Sequence, residues 1–170
     1  GIRVPEGDSS DGPEKETIFG LGARKNGLFL DRIRSSGVDV YPSSVALIRR
    51  LRSCGVKTAV VTSSRNRAEI LHVAGLEALF DAIVDGHDRA ALALRGKPEP
   101  DTFLEAARRL GVPPARAVVV EDALAGVAAG RAGGFGLVIG VDRAGHAEAL
   151  RAQGADLVVA DLSELAPPPE

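Results

Sequence analysis

Hydroxyl side chains end an apolar run that is short enough to be a buried strand. The run 57–62 is rich in β-branched residues, and Thr62 and Ser63 close it just before a helical pattern that begins near Asn66. A hydroxyl group beside the free backbone N–H groups of a helix N-terminus is a ready anion site. Capping is the alternative, because Ser, Thr and Asn are common N-cap residues. Phosphate binding is therefore one of two interpretations of this segment.

Two acidic residues end a second apolar run. Glu121 and Asp122 follow Val118–Val120 and lead directly into another helical pattern. Magnesium ions in proteins are usually held by one or two carboxylates, and water and phosphate oxygens complete the shell. Adjacent carboxylates at a strand end suit such an ion. Helix capping by Asp122 is the alternative.

A lysine lies in a proline-rich turn between these two segments. Lys97 is followed by Pro98 and Pro100, which stiffen the chain before a helix that Asp101 is predicted to cap. A lysine held there can neutralise charge on a phosphoryl group during transfer, since such catalysis rests on positioning and electrostatics. A solvated loop lysine is the alternative.

The elements that position these residues alternate between short apolar strands and amphipathic helices. This alternation predicts an α/β fold, a Rossmann-like parallel sheet with helices on both faces. Ligands bind at the carboxyl ends of the strands in such sheets, which is where the polar residues fall. The predicted strands are 57–62, 80–84, 117–120, 136–141 and 156–160, and the predicted helices after residue 40 are 42–54, 66–74, 101–110, 123–132 and 146–153.

The N-terminal region differs from the rest of the chain in composition and periodicity. Residues 1–16 are rich in Gly, Pro, Asp, Ser and Glu without periodicity, which is typical of a loop or an exposed tail. Residues 17–36 have a helical pattern, which the glycines at 20, 22 and 27 are expected to weaken.

Composition excludes several classes of protein. The chain has 170 residues and a net charge of -2, and its Lys and Arg residues are scattered, so no nucleic-acid partner is indicated. No apolar run approaches the roughly 20 residues of a membrane helix, and no signal-peptide pattern opens the chain. The single cysteine, Cys54, is predicted to be a small reduced core residue. A cytoplasmic protein is expected.

The ordered set of hydroxyl, lysine and two acids resembles the haloacid dehalogenase superfamily of phosphoryl-transfer enzymes. The resemblance implies that Thr62 is the second-motif hydroxyl and Lys97 the third-motif lysine. It implies that Glu121 and Asp122 are the fourth-motif acids that help to hold Mg²⁺. Any one of these motifs is weak, and their order along the chain makes the set specific.

The resemblance is closer to the β-phosphoglucomutase branch of that superfamily, and it covers nearly all of residues 20–165. It also suggests a cis peptide bond between Lys97 and Pro98, which X-Pro bonds adopt in tight turns. The segments that look like motifs of this branch are Asp39–Pro42, Thr62–Asn66, Lys97–Asp101 and Glu121–Gly126.

Substrate contacts are implied by the same resemblance. Ser64, Arg65 and Asn66, with Ser63 beside them, would bind the second, non-reacting phosphate of a sugar phosphate. Lys25 looks like the residue by which the helical cap of this family reaches the substrate.

One part of the family's site is not found in the sequence. The family's nucleophile is the first aspartate of an Asp-x-Asp-Gly loop and its general acid/base is the second, and no two aspartates of this chain stand two positions apart. The segment Asp85–Asp88 has the wrong order, and no suitable helix is predicted after it. His72, His87 and His146 are predicted to be surface residues. We therefore expect that the first strand, the nucleophile loop and the opening cap helices are absent.

The expected domains follow from this assignment. They are a loop or tail over 1–16, a remnant of the helical cap over 17–37, an α/β core without its first strand over 38–166, and a tail over 167–170. Because the absent strand is central in this family, an exposed sheet edge is expected to favour self-association and to lower stability.

The resemblance implies a phosphoryl-transfer enzyme that acts on a sugar phosphate. The favoured activity is a β-phosphoglucomutase, which converts β-glucose 1-phosphate to glucose 6-phosphate through an aspartyl-phosphate and a bisphosphate intermediate. The chain is expected to be inactive alone. A sugar-phosphate phosphatase of the same superfamily and a non-catalytic phosphosugar-binding relic are the alternatives.

Overall fold

The computed structural model describes residues 3–165 and divides them between two compact units. The first unit contains the residues up to Asp39 together with Ala68–Gly75, and the second contains Val40–Arg67 and the residues from Leu76 onward. The predicted tail at 167–170 lies outside the described residues.

The first unit is built on one long helix, α1 (Ile18–Ser36). The Thr17 hydroxyl accepts a hydrogen bond from the Gly20 N–H at 3.0 Å and caps its N-terminus. The helix runs uninterrupted through its three glycines, so the expected weakening does not break it. Gly20 is required by a close approach, since a Cβ there would lie 2.3 Å from the Lys15 carbonyl oxygen. The segment 3–16 has neither helix nor strand, and it bonds to α1 where Arg24 donates to the Pro13 carbonyl at 2.8 Å.

The second unit contains five short parallel strands. They are β1 (Ala59–Val61), β2 (Ala82–Val84), β3 (Val118–Glu121), β4 (Leu137–Val141) and β5 (Leu157–Val159). Strand β1 pairs with β2, and β3, β4 and β5 pair in that order. The parallel α/β fold is therefore confirmed. Within residues 3–165, however, the strands form two sheets where the sequence predicted one, because β1 and β3 do not pair with each other.

Helices cover both faces of β4, as predicted. On one face, Val119 and Val138 pack against Phe103, Val127 and Leu150. On the other, Ile139 and Val141 pack with Leu47, Val159 and Leu162. The helices that supply these contacts are α2 (Pro42–Ser53), α5 (Asp101–Leu110), α6 (Leu124–Ala132) and α7 (Ala147–Ala152). Helix α5 also packs against β1 and β2, so it connects the two sheets through side chains.

Two further helices follow β1 and β2. Helix α3 (Arg67–Ala74) was predicted, whereas α4 (Gly86–Ala91) was not. Asp85 is the N-cap of α4 and forms a capping box with Asp88. The prediction that no suitable helix follows Asp85 is therefore wrong, and His87 is an exposed residue of this helix. The short length of α4 explains the error, since six residues carry little hydrophobic periodicity.

Several local predictions differ from the structure. Pro100 occupies the N-cap of α5, and the Asp101 carboxylate instead accepts three hydrogen bonds from Arg95, one from its backbone and two from its guanidinium. Cys54 is exposed at the C-cap of α2, where the helix ends before the positive-φ residue Gly55, so the prediction of a core residue is wrong. Every predicted strand and helix forms, with ends that move by one or two residues. No helix within 3–165 is long and apolar enough to cross a membrane.

Candidate active site

The site is assembled at the carboxyl ends of β1 and β3, the edge at which parallel sheets bind ligands. Thr62 follows the last residue of β1, and Glu121 is the last residue of β3. Val61 packs against the same hydrophobic cluster that contains Phe103 and Val119. The last residue of β1 therefore packs on the same core as β3, which places both strand ends on one hydrophobic cluster.

The segment Ser63–Asn66, here called the phosphate loop, turns sharply between β1 and α3. The Thr62 hydroxyl accepts a hydrogen bond from the Ser64 N–H at 3.1 Å. The Ser64 hydroxyl accepts one from the Asn66 N–H at 3.0 Å. The N–H groups of Ser64 and Asn66, which were predicted to be free for an anion, are therefore occupied. Short hydroxyl side chains bond readily to the backbone N–H two residues further along the chain. Ser63 and Arg65 are exposed.

Lys97 and Glu121 form a partly buried ion pair. The Lys97 ammonium donates to the Glu121 carboxylate and lies 4.8 Å from the centroid of the Phe103 ring, a cation–π distance. The two side chains are 18% and 10% exposed, so water screens this pair little. The peptide bond between Lys97 and Pro98 is cis. Lys97 is thus a fixed side chain and not a solvated loop lysine.

Gly126 on α6 makes room for the Glu121 carboxylate. A Cβ at this position would lie 2.2 Å from the Glu121 Cδ and about as close to both carboxylate oxygens. The Ala123 N–H also donates to Glu121 at 3.3 Å. The motif from Glu121 to Gly126 is therefore a packed unit in which the first turn of α6 fixes the carboxylate.

Asp122 is more accessible than Glu121. Its side chain is 57% exposed, and the Arg143 guanidinium lies 3.6 Å away. Arg143 follows β4 and stacks on the Tyr41 ring, with 3.4 Å between its Cζ and the ring centroid. The N-cap of α6 is Ala123, so Asp122 does not have the capping role given as its alternative.

The carboxylates fit a magnesium ion by donor type. Oxygen donors are what Mg²⁺ prefers, and one or two protein carboxylates are its usual complement. Within residues 3–165 no group of three or more His, Cys, Asp or Glu side chains is clustered for a metal. Glu121 and Asp122 alone would hold such an ion, which would offset the negative charge of a bound phosphate.

Lys25 lies in the other unit. It is an exposed residue of α1, next to Arg24, whose guanidinium pairs with Glu16 at 2.8 Å. Its contact with a substrate stays a prediction.

Sequence reasoning missed residues that act through their neighbours. Arg143 and Gly126 touch the two acids, and Gly86 and His87 touch the phosphate loop. Gly126 belongs to the motif Glu121–Gly126, and Gly86 and His87 belong to the segment Asp85–Asp88, but sequence reasoning assigned them no role at the site, and it found no signal for Arg143.

A family model for haloacid dehalogenase-like hydrolases matches residues 12–134. The chain belongs to this family. Among proteins it resembles, a β-phosphoglucomutase of Mycobacterium bovis is 44% identical over 167 residues, which are 96% of this chain and 64% of that protein. A trehalose-phosphate phosphatase of Mycobacterium leprae is 43% identical over 127 residues, which are 72% of this chain and 28% of that protein.

The fold leads to the same family. The crystal structure of β-phosphoglucomutase from Clostridium difficile superposes with a TM-score of 0.74 and 28% identity, over 92% of this chain and 66% of that one. The prediction of a haloacid dehalogenase-type enzyme of the β-phosphoglucomutase-like branch is confirmed at the level of the family. The chain spans 64% of the length of the M. bovis relative.

Proposed function

We propose that this chain forms most of a phosphoryl-transfer enzyme that acts on a sugar phosphate, and that its activity is that of a β-phosphoglucomutase. The observation that carries this proposal is the partly buried Lys97–Glu121 pair beside the exposed carboxylate of Asp122, at the strand ends of a haloacid dehalogenase-like fold. This arrangement supports a bound phosphoryl group on the lysine side and a magnesium ion on the carboxylate side.

Each residue has a distinct part in the proposed reaction. Thr62 has a hydroxyl proton to donate to a phosphoryl oxygen, since its oxygen accepts from Ser64. Lys97 would stabilise the charge on the transferring group, and its pairing with Glu121 fixes its position. Glu121 and Asp122 would hold Mg²⁺, which supplies electrostatic stabilisation of phosphate oxygens when bound. The phosphate loop would bind the phosphate that does not react.

A second phosphate site favours the mutase over a phosphatase. A phosphatase needs one phosphate site, whereas a mutase that passes through a bisphosphate needs two. The exposed Arg65 guanidinium and the hydroxyls of Ser63 and Ser64 supply donors for the second phosphate. The 43% identity to a protein named trehalose-phosphate phosphatase keeps a phosphatase as the second candidate.

Binding measurements test the proposal on the chain as it stands. The probes are β-glucose 1,6-bisphosphate and inorganic phosphate, titrated by calorimetry in the presence of Mg²⁺. Arg65→Gln should weaken bisphosphate binding about tenfold or more, since it removes a charged hydrogen-bond donor, and should leave inorganic phosphate unchanged. Arg116→Gln is the matched control, because Arg116 precedes β3 and lies at the opposite end of that strand from Glu121.

Turnover separates the two candidate activities. Conversion of β-glucose 1-phosphate to glucose 6-phosphate, primed with the bisphosphate, is measured beside phosphate release from trehalose 6-phosphate. Mutase turnover would show that a carboxylate outside an Asp-x-Asp motif serves as nucleophile. Binding of the bisphosphate without turnover would fit the expected inactivity of this chain alone. Failure to bind either phosphate probe would refute the proposed function.

A further inference from the structure

The phosphate loop is held in place by the segment Asp85–His87, which begins α4. Gly86 donates its N–H to the Ser64 carbonyl at 3.1 Å. The His87 Nε2 lies 3.1 Å from the Arg65 carbonyl oxygen. Because a carbonyl oxygen only accepts, this ring nitrogen must carry the proton. Two consecutive carbonyls of the phosphate loop are thus bonded to two consecutive residues after β2.

Gly86 allows this approach because it has no side chain. A Cβ there would lie 2.6 Å from the Ser63 carbonyl oxygen and 2.9 Å from the Arg65 Cγ. The first of these contacts is to backbone, so it cannot be relieved by rotating a side chain. Any residue other than glycine must therefore displace the phosphate loop itself.

Asp85 connects the same segment to the far end of the loop. Its side chain is 5% exposed and pairs with the Arg67 guanidinium at 3.0 Å, immediately after the loop. It also accepts hydrogen bonds from the N–H groups of His87 at 2.8 Å and Asp88 at 3.1 Å. Burial opposes its ionisation, yet these backbone bonds and Arg67 hold the pKa of Asp85 below its usual value. Asp85 is therefore charged at neutral pH.

We propose that Asp85, Gly86 and His87 are positioning residues that set the conformation of the phosphate loop, and through it the affinity for the non-reacting phosphate of the sugar. Within the loop, the Thr62 hydroxyl bonds to the Ser64 N–H and the Ser64 hydroxyl bonds to the Asn66 N–H. The contacts from Asp85–His87 add bonds to the Ser64 and Arg65 carbonyls and to Arg67. The part of this inference that concerns phosphate affinity rests on the proposed function. The part that concerns the conformation of the loop does not.

The test compares Gly86→Ala, His87→Phe and His87→Gln in the full chain. Calorimetry with glucose 6-phosphate should show about a tenfold loss of affinity for Gly86→Ala and for His87→Phe, since small displacements of positioning groups have effects of this size or larger. His87→Gln keeps an N–H donor and should restore most of the affinity. His146→Phe is the control for an aromatic substitution at a histidine outside this segment.

A second measurement reads the loop directly. The amide resonances of Ser64, Arg65 and Asn66 in the ligand-free chain should shift, and their hydrogen exchange should speed up, in Gly86→Ala and His87→Phe only. Unchanged loop amides in both variants would overturn the proposal. If the wild-type chain binds no glucose 6-phosphate, the proposed function fails, and the loop amides alone decide whether the segment holds the loop. If Gly86→Ala does not fold, the Phe and Gln variants of His87 give the same decision.

Discussion

Replacing Gly126 with alanine tests whether the first turn of α6 is shaped around the Glu121 carboxylate. The new Cβ would lie 2.2 Å from the Glu121 Cδ, whereas ordinary contacts begin near 3.4 Å. The carboxylate must therefore withdraw by about 1 Å, which is enough to break its bond to Lys97. Leaving that partly buried pair unsatisfied costs about 1–3 kcal/mol. The alanine itself stabilises the helix by about 1 kcal/mol.

The net effect of Gly126→Ala is then a loss of up to about 2 kcal/mol in the free energy of unfolding, measured by urea denaturation at pH 7. A double-mutant cycle gives the decisive comparison. In a Glu121→Ala background the carboxylate is gone, so Gly126→Ala should become stabilising by up to about 1 kcal/mol. Gly22→Ala is the control, because a Cβ added there would have no atom within 4 Å and only helix propensity changes. Equal destabilisation in both backgrounds would refute the steric argument.

Three further predictions concern stability and association. Hydrogen bonds from Arg108 and Arg109 lower the pKa of Glu105 to about 2. The ionised carboxylate therefore stabilises the fold fully above about pH 4.5, and this stabilisation is lost as the pH falls towards 2. The unfolding curves of Glu105→Gln and wild type should differ at pH 7 and converge near pH 2. Leu150→Ala should lower the free energy of unfolding by about 2–5 kcal/mol, since Leu150 is fully buried, and a loss below 1 kcal/mol would contradict its place in the core. Val120 is 43% exposed on β3, which pairs with β4 alone among residues 3–165, and we expect Val120→Lys to shift the chain towards monomer in sedimentation; an unchanged distribution would exclude this strand as the contact.

Much of the fold is predictable from the sequence because its signals are local. Val118–Val120 and Leu137–Val141 are short apolar runs bounded by turns, and each forms a strand where the pattern places it. Glu121 and Thr62 lie at strand ends for the same reason. Their types and positions predict a candidate site at these strand ends, and the roles of these residues stay a prediction.

The remainder depends on contacts between distant parts of the chain. The sequences of β1 and β3 do not show that these strands stay unpaired with each other within the described residues. Strand pairing depends on which strand edges come together in the folded chain. The requirement for glycine at Gly86 arises from the Ser63 carbonyl, 23 positions earlier along the chain, and Arg143 meets Asp122 from the end of another strand. Sequence spacing carries no signal for such contacts, and only coordinates reveal them.

The stacking of Arg143 on Tyr41 has an optical consequence. The chain contains one tyrosine and no tryptophan, so Tyr41 and the phenylalanines are its only sources of ultraviolet emission. The guanidinium that covers this ring is the same group that pairs with Asp122. A cation that takes over Asp122 would remove one of the two contacts that hold this guanidinium, and with it a constraint on the group that covers the ring. We therefore expect tyrosine emission to change when a cation binds at Asp122, and a titration of the chain with Mg²⁺ measures it.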